Sequence, residues 1–495
     1  MKRPRLFVVL LVASAVSSSP DASAQDQAAT AQPADQTPSK AFLNRLFEAY
    51  ADDWKGTESS GPAPKFRGDP APLSNPPYPF NVWPYGGAPV IGQPDTNVPP
   101  LMQAIYGGSS GKAWEKSRLK IYGWLNFGGN VSTSDQTHGT YSNSPAAYSV
   151  IPNAVQLDQG TVYIERVPDT VQTDHWDWGF RLTNLYGLDY RFTTAKGYFS
   201  GQLLGHTNPD GSLGNKYGYD PVMMYVDLYD PHVADGLNIR IGRYISLPDI
   251  EAQLAPNNYM YSHSLTYTYD CYTQTGVNAT LQMNRRVMLQ GGVSAGCEAA
   301  PWAADAKLTF NWCVGLTWRE GWDNVYMCDN ALNDGNYAYN NLQAVYATWY
   351  HKFNDKWHTA TEYWYQWENK VPNLTNPDPA AASLLETGAN GAFCQSATSL
   401  VCHAPNTAMV NYLNRQFSKR DYFSIRNEFF DDMVGQRTGT KSRYTEHAVS
   451  YNRWIGSTLL FRPEIRYDIA YDAPAYDGGT GKHQFMVAAD FLIFY

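Results

Sequence analysis

Two acids and a scattered set of arginines pose the first question. The stretch SLPDIEAQLAPNNYMYSHS, residues 246–264, carries Asp249 and Glu251. Arginines recur elsewhere inside or beside segments of alternating polarity, at Arg181, Arg191, Arg240, Arg426, Arg462 and Arg466. If 246–264 folds inward across a water-filled space walled by those segments, its acids sit opposite the arginines. Opposed charges across such a constriction create a transverse field, which orients polar solutes and disfavours apolar ones. A plainer alternative stands beside it. The wall charges pair with one another, Arg462 with Glu464 and Arg466 with Asp468, and merely satisfy a polar interior.

The other reactive residue types carry less. Ten histidines are scattered along the chain, and His263 between Ser262 and Ser264 is the nearest approach to a nucleophile and base. Neighbours on an extended chain point to opposite faces, so that adjacency does not make a catalytic pair. The stretch GGTGK at 478–482 imitates a phosphate loop, yet Tyr476 stands where the motif needs glycine and His483 replaces its Ser/Thr. No catalytic residue is expected, and no cofactor.

Six cysteines remain. Cys271 and Cys297 lie symmetrically about the turn at 284–285, and Cys313 and Cys328 about 320–321. Cys394 and Cys402 share one polar loop. Hairpin partners at matching heights come within disulfide reach, which favours these three pairs, with Cys297–Cys313 as the main rival. No CxxC or Cys/His zinc spacing occurs, so no metal site is expected.

The elements that would position these groups are strands. In WDWGFRLTNLYGLDYR, Trp176, Trp178, Phe180, Leu182, Tyr186, Leu188 and Tyr190 share one face, while Asp177, Arg181, Thr183, Asp189 and Arg191 share the other. In TLLFRPEIRYDIAY, Phe461, Ile465, Tyr467, Ile469 and Tyr471 alternate with Arg462, Glu464, Arg466 and Asp468. Tyr363, Tyr365 and Trp367 face away from Glu362, Gln366 and Glu368; Val222, Met224, Val226 and Leu228 face away from Tyr225 and Asp227. Period two with an aromatic face and a charged face is a strand between two unlike environments. A sandwich buries such apolar faces only with a second sheet. A closed barrel in a membrane accounts for both faces together, with lipid outside, water inside and every backbone group paired.

Links between these segments alternate in length. Short ones fall near 168–174, 230–236, 284–285, 319–323, 354–356, 418–421 and 455–456, and the longest of the others spans about 371–408. About sixteen strands are counted, with 194–206 assigned to a long loop. The fold class is all-β, a transmembrane antiparallel barrel of about sixteen strands. It falls short of the 22 strands of energised importers.

The whole chain agrees. Charged residues are 17% of 495, aromatics 14%, and tyrosine alone contributes 36, a balance poor in charge and rich in rings for an ordinary globular protein. A net charge of −9 without a basic block excludes a nucleic-acid partner. The N-terminus reads MKRPRLFVVLLVASAVSSSPDASAQ, with basic residues, a short apolar core and Ala22-Ser23-Ala24, so 1–24 is expected to be a cleavable signal peptide. Residues 25–116 form an Ala/Pro-rich extension with a helix spaced by Phe42, Leu43, Leu46, Phe47, Tyr50 and Trp54. Its proline run, 61–100, reads either as a tether or as a segment lying on the barrel mouth through Trp83 and Tyr85. The barrel is assigned to 117–495.

The chain ends FMVAADFLIFY, where Phe485, Val487, Ala489, Phe491, Ile493 and Tyr495 alternate. This ending resembles the recognition signal of outer-membrane barrels, and Phe491, Ile493 and Tyr495 are assigned to it, with the barrel-assembly machinery as partner. The stretches WGFRLTNLYGLDYRFT, MMYVDLYDPHVADGLNIRIGRYISLPDIEAQLAPNNYMYSHSLTYTY and LLFRPEIRYDIAYD, with the proline-rich segment before them, resemble the OmpL-like β-barrel porin family of Gram-negative bacteria. The resemblance covers about 70–495. It implies a sixteen-stranded outer-membrane pore for small hydrophilic solutes or ions, wetted by outer-membrane lipid, and by analogy a homotrimer. The chain departs from the family at 249–252, Asp-Ile-Glu-Ala, where members tend to carry a Gly-Tyr-Glu-like step. A barrel plugged by its N-terminal segment, structural or adhesive in role, is the second expectation.

Overall fold

Alternation is carried round a full circle. A computed structural model describes residues 41–55, 67, 91–96, 98–209, 211–245, 249–319 and 322–495. The expected leader, the linker after it, and Trp83 and Tyr85 lie outside the described residues. Sixteen strands occur in chain order. The first eight are β1 Leu119–Ser132, β2 Val155–Arg166, β3 Asp177–Gly187, β4 Gly218–Asp230, β5 Leu237–Ile245, β6 Thr273–Asn284, β7 Val287–Cys297 and β8 Thr309–Trp318. The second eight are β9 Asp323–Leu332, β10 Gln343–Lys352, β11 Trp357–Pro372, β12 Val401–Gln416, β13 Asp421–Asp432, β14 Ser442–Ile455, β15 Leu459–Ala470 and β16 His483–Phe494. Each pairs antiparallel with its neighbours in sequence, and β16 pairs with β1 to close the ring. Closure leaves no strand edge unpaired.

The links sort by end. Seven lie at the end that also holds both barrel termini, six of them of six residues or fewer and the β2–β3 link of ten, and the eight at the other end run from nine residues upward. The link expected over about 371–408 is shorter than that, because β11 runs on to Pro372 and β12 begins at Val401. Outward residues are apolar and exposed, among them Trp178, Ile241, Trp312, Trp349, Phe461 and Phe491. Two stretches depart from the expected faces. β3 stops at Gly187, so Leu188 and Tyr190 turn inward and are buried rather than continuing the face of Trp178. A register shift between Thr183 and Leu185 against β4 breaks the alternation there, and Val222 is buried while Val226 and Leu228 stay outside.

The interior is not uniformly polar. Near the short-turn end Tyr122 stacks on Tyr163 at 5.1 Å and Trp454 on Phe494 at 5.8 Å, with Trp124 between the two pairs. Strands β14, β16 and β1 therefore carry rings inward as well as outward, and β2 adds Tyr163 to the inside.

The chain end is tied into closure. Phe491 stands opposite Phe127 and Phe461, and Ile493 opposite Leu125 and Leu459. The Tyr495 amide donates to the Gly123 carbonyl at 2.9 Å, and its hydroxyl to the Thr161 carbonyl at 2.8 Å. The expected helix is present as α1, Phe42–Lys55, followed by α2, Pro100–Tyr106, and α3, Gly111–Ser117. Asp53 accepts hydrogen bonds from the Ser457 amide and hydroxyl and from the Thr458 hydroxyl, and Tyr50 donates to the Phe494 carbonyl. Gly456 has φ +62°, and a Cβ there would lie 2.1 Å from the Asp53 carboxylate, so glycine serves both the turn and the docked helix. On the other side of the β16–β1 seam, Gly92 donates to the Thr170 carbonyl in the β2–β3 link and Arg67 reaches the Tyr229 hydroxyl on β4.

Candidate functional site

The link between β5 and β6 enters the barrel. Every residue from Asp249 to Tyr267 is buried. Its backbone is held by side chains that project inward from β2, β11, β13 and β15. The Ile250 amide donates to Glu362 on β11 at 3.0 Å, and the Ala255 amide to Gln159 on β2 at 3.0 Å. The Ser262 amide donates to Glu464 on β15 at 3.0 Å, and the Leu265 amide to Glu428 on β13 at 2.8 Å. In the opposite sense Arg426 donates to the Ser262 carbonyl (2.6 Å), Arg462 to the Ala255 and Asn258 carbonyls (2.8 and 2.9 Å), and Arg466 to the His263 carbonyl (2.5 Å). Irregular backbone inside a barrel must find partners for its amides and carbonyls. Here the inward charges of β11 to β15 supply them, both signs being needed because a peptide offers both a donor and an acceptor.

The two acids of the loop meet different surroundings. Glu251 lies 3.2 Å from His263 Nδ1, accepts from the Ser264 amide at 3.1 Å and from the Tyr412 hydroxyl at 2.7 Å, and has Arg426 3.9 Å away. Burial pushes its carboxyl up, but His263, the Arg426 charge and Tyr412 together bring it down to about 2. Asp249 instead faces two further acids. One oxygen each from Asp249, Asp270 and Glu362 lies within 4.8 Å of the others, and all three residues are buried. Burial, then the charges of Asp270 and Glu362, push Asp249 well above the usual carboxylate range.

The arginines named from sequence are spread over several settings. Arg181 pairs with Glu165 at 2.6 Å and Arg240 with Asp227 at 2.9 Å. Arg426 pairs with Glu446 at 2.7 Å, and Arg466 with Asp468 at 2.8 Å. Arg462 pairs with Asp490 rather than Glu464, which is engaged by Ser262. Arg191 stands in the β3–β4 link, donating to the Asn215 and Leu213 carbonyls, and is not brought to Glu251. Five of the six thus pair with acids, Arg466 with Asp468 as named from sequence and Arg462 with a different one. Three of those five, Arg426, Arg462 and Arg466, also bind the loop.

Ser262 and Ser264 do not engage His263 as a nucleophile would. Ser262 donates to Glu464 and accepts from Arg426, Ser264 accepts from the Tyr267 amide, and the His263 ring lies against Tyr148 at 3.7 Å. All three cysteine pairs are joined: Cys271–Cys297, Cys313–Cys328 and Cys394–Cys402. The first fastens the base of the inward loop to β7, directly after Asp270. Sequence reasoning missed Asp270 and the contact of Glu362 with the loop. Glu362 was legible as an inward acid from its alternation, and Asp270 carried only its place beside Cys271.

Comparison with known proteins agrees on kind. None of the curated proteins compared with the chain matches it. Among solved structures, the outer-membrane channel DcaP of Acinetobacter baumannii superposes with TM-score 0.44 at 9% identity, covering 76% of this chain and 97% of its own. The anion-selective porin from Comamonas acidovorans gives 0.46 at 7%, covering 76% and 99%. Values so low say nothing of what passes through this barrel. The family model described as "Putative beta-barrel porin-2, OmpL-like" matches residues 118–494, from the start of β1 to the end of β16. The chain belongs to this OmpL-like family of β-barrel porins.

Proposed function

We propose that the protein is a passive outer-membrane channel for small hydrophilic solutes or ions, and that the inward loop with Asp249 and Glu251 sets the field in its narrowest part. The observation that carries this is the loop itself, drawn across a closed sixteen-stranded ring and held by charges of both signs. The exposed apolar outer face suits lipid, and the leader at 1–24 delivers the chain beyond the inner membrane. Phe491, Ile493 and Tyr495 form the signal read at assembly.

Single-channel recording of the refolded mature protein in a planar bilayer, under a salt gradient, tests the reading. Stepwise openings are expected, with three equal steps per insertion if the protein is a trimer. The Asp249→Asn, Glu251→Gln double variant should shift the reversal potential away from cation preference. The effect should be up to about tenfold in permeability ratio at low salt and smaller as salt screens the field. Unchanged conductance and selectivity would remove both acids from the permeation path.

One observation favours the plugged alternative. The described extension docks on the short-turn rim on both sides of the β16–β1 seam, through Asp53 and Tyr50 on one side and Gly92 and Arg67 on the other. A folded but silent barrel that conducts once residues 25–115 are deleted would establish that reading instead.

A further inference from the structure

Asp249, Asp270 and Glu362 come from three separate places: the start of the described inward loop, its end beside Cys271, and β11. Each is more than nine-tenths buried. Three carboxylates sealed together repel one another and have lost the water that would stabilise them, so the arrangement needs positive charge or protons. The side chains nearby do not supply enough. Neither oxygen of Asp270 nor Glu362 Oε1 meets a hydrogen-bond donor among the described residues. A fourth oxygen, the Tyr267 hydroxyl, is also buried without a partner and lies within electrostatic reach of both Asp249 and Asp270. Arg437, which donates to the Tyr269 carbonyl at 3.0 Å, contributes one positive charge to the surroundings of Asp270, and Glu298 and Glu251 add negative charge.

We infer that Asp249, Asp270 and Glu362 hold one divalent cation of the calcium type inside the barrel. The donor set is all oxygen, with no thiolate or imidazole, which selects a hard cation. Ligands drawn from three unrelated segments suit the flexible coordination of Ca2+ better than the strict octahedron of Mg2+. The cation would clamp both feet of the inward loop to β11, on a distant part of the ring. It would offset two of the three negative charges that the acids carry when ionised. The alternative is a proton shared between Asp249 and Asp270, which stand close enough to hydrogen-bond if one is protonated. The inference does not depend on whether the pore is open, since the same clamp would serve a plugged barrel.

The test is metal content and binding in the full mature protein, folded in detergent, stripped with EDTA and returned to Ca2+. One Ca2+ per chain is expected. Tb3+ should bind in its place, with emission excited through the neighbouring tyrosines and displaced by Ca2+. Asp270→Asn and Glu362→Gln should each weaken binding roughly tenfold or more, whereas Asp472→Asn, an exposed acid of the β15–β16 link, should not. Folding of each variant is checked by its heat-dependent gel mobility. Folded wild-type protein that takes up no Ca2+ at millimolar concentration would overturn the inference in favour of the shared proton. So would variants that bind as the wild type does. Should a variant fail to fold, crystals of the wild type soaked in Tb3+ decide the matter. An anomalous peak among the three carboxylates supports the site, and its absence there overturns it.

Discussion

Glu251 and Asp249 stand two residues apart on one loop, equally buried, and their surroundings are opposite. Glu251 receives a hydroxyl, an amide and a ring nitrogen and has a guanidinium nearby. Asp249 faces Asp270 and Glu362. The difference teaches what burial of a carboxylate requires. A charge withdrawn from water is stable where protein donors replace the solvent, and is otherwise a demand for a proton or a cation. One acid is fastened by the wall, and the other waits on something that is not polypeptide.

The sharpest way to break the comparison is to remove the donor side. Arg426 pairs with Glu446, approaches Glu251 and Glu464, and holds the Ser262 carbonyl. Arg426→Ala leaves those carboxylates together without their cation, and a loss of about 3–5 kcal/mol in unfolding free energy is expected from thermal or denaturant melts. The second effect falls on the other half. Cys271–Cys297 closes a span of 26 residues and holds Asp270 against its fellow acids. Replacing both cysteines by serine should cost about 3 kcal/mol and, in protein stripped with EDTA, should make the loop cleavable by added protease.

A smaller effect separates the halves by pH. The Glu251 carboxyl, depressed from the ordinary glutamate value of 4.5 to about 2, contributes stability that is complete above the unfolded value. That contribution is lost as pH falls from about 4.5 through about 2. His263, which burial keeps below its ordinary value, acts in the same direction from about pH 6.5 downward, because the unfolded chain takes up its proton first. These two groups lower the melting temperature on acidification, while the raised carboxyl of Asp249, which takes up its proton before the unfolded chain does, acts in the opposite sense. In Glu251→Gln, whose stability at neutral pH should be lower by about 2 kcal/mol, the part between 4.5 and 2 should flatten. A wild-type profile identical to that of the variant would contradict the network drawn around Glu251.

How much of this was legible beforehand follows from what alternation can and cannot carry. The period-two pattern assigns Arg426, Arg462, Glu464 and Glu362 to the inside because each strand has only two faces. It places Phe461 and Phe491 outside for the same reason. The turns at 284–285 and 354–356 follow from strand pairing that is local in sequence. Alternation does not say which strand lies across the ring from which. The pairing of Arg462 with Asp490 rather than Glu464 therefore needed the register of β15 against β16. Nor does it reach into links, and so Arg191, read as continuing the face of Arg181, lies beyond the end of β3 and binds carbonyls instead. Asp270 was invisible because its role depends on Glu362 of β11, about ninety residues further along the chain.

The smallest effect is the most discriminating. Asp249→Asn keeps the shape of the side chain and removes one of three mutually repelling charges. In protein stripped of metal the variant should be as stable as the wild type, or more stable by up to about 1 kcal/mol, since one of three mutually repelling charges is gone. Glu251→Gln under the same conditions should be destabilised, so the two substitutions should move the melting temperature in opposite directions. Adding Ca2+ should then stabilise the wild type but not Asp249→Asn, reversing their order. If both variants lose stability alike without metal, the two acids are equivalent after all, and the asymmetry drawn between the two feet of the loop is wrong.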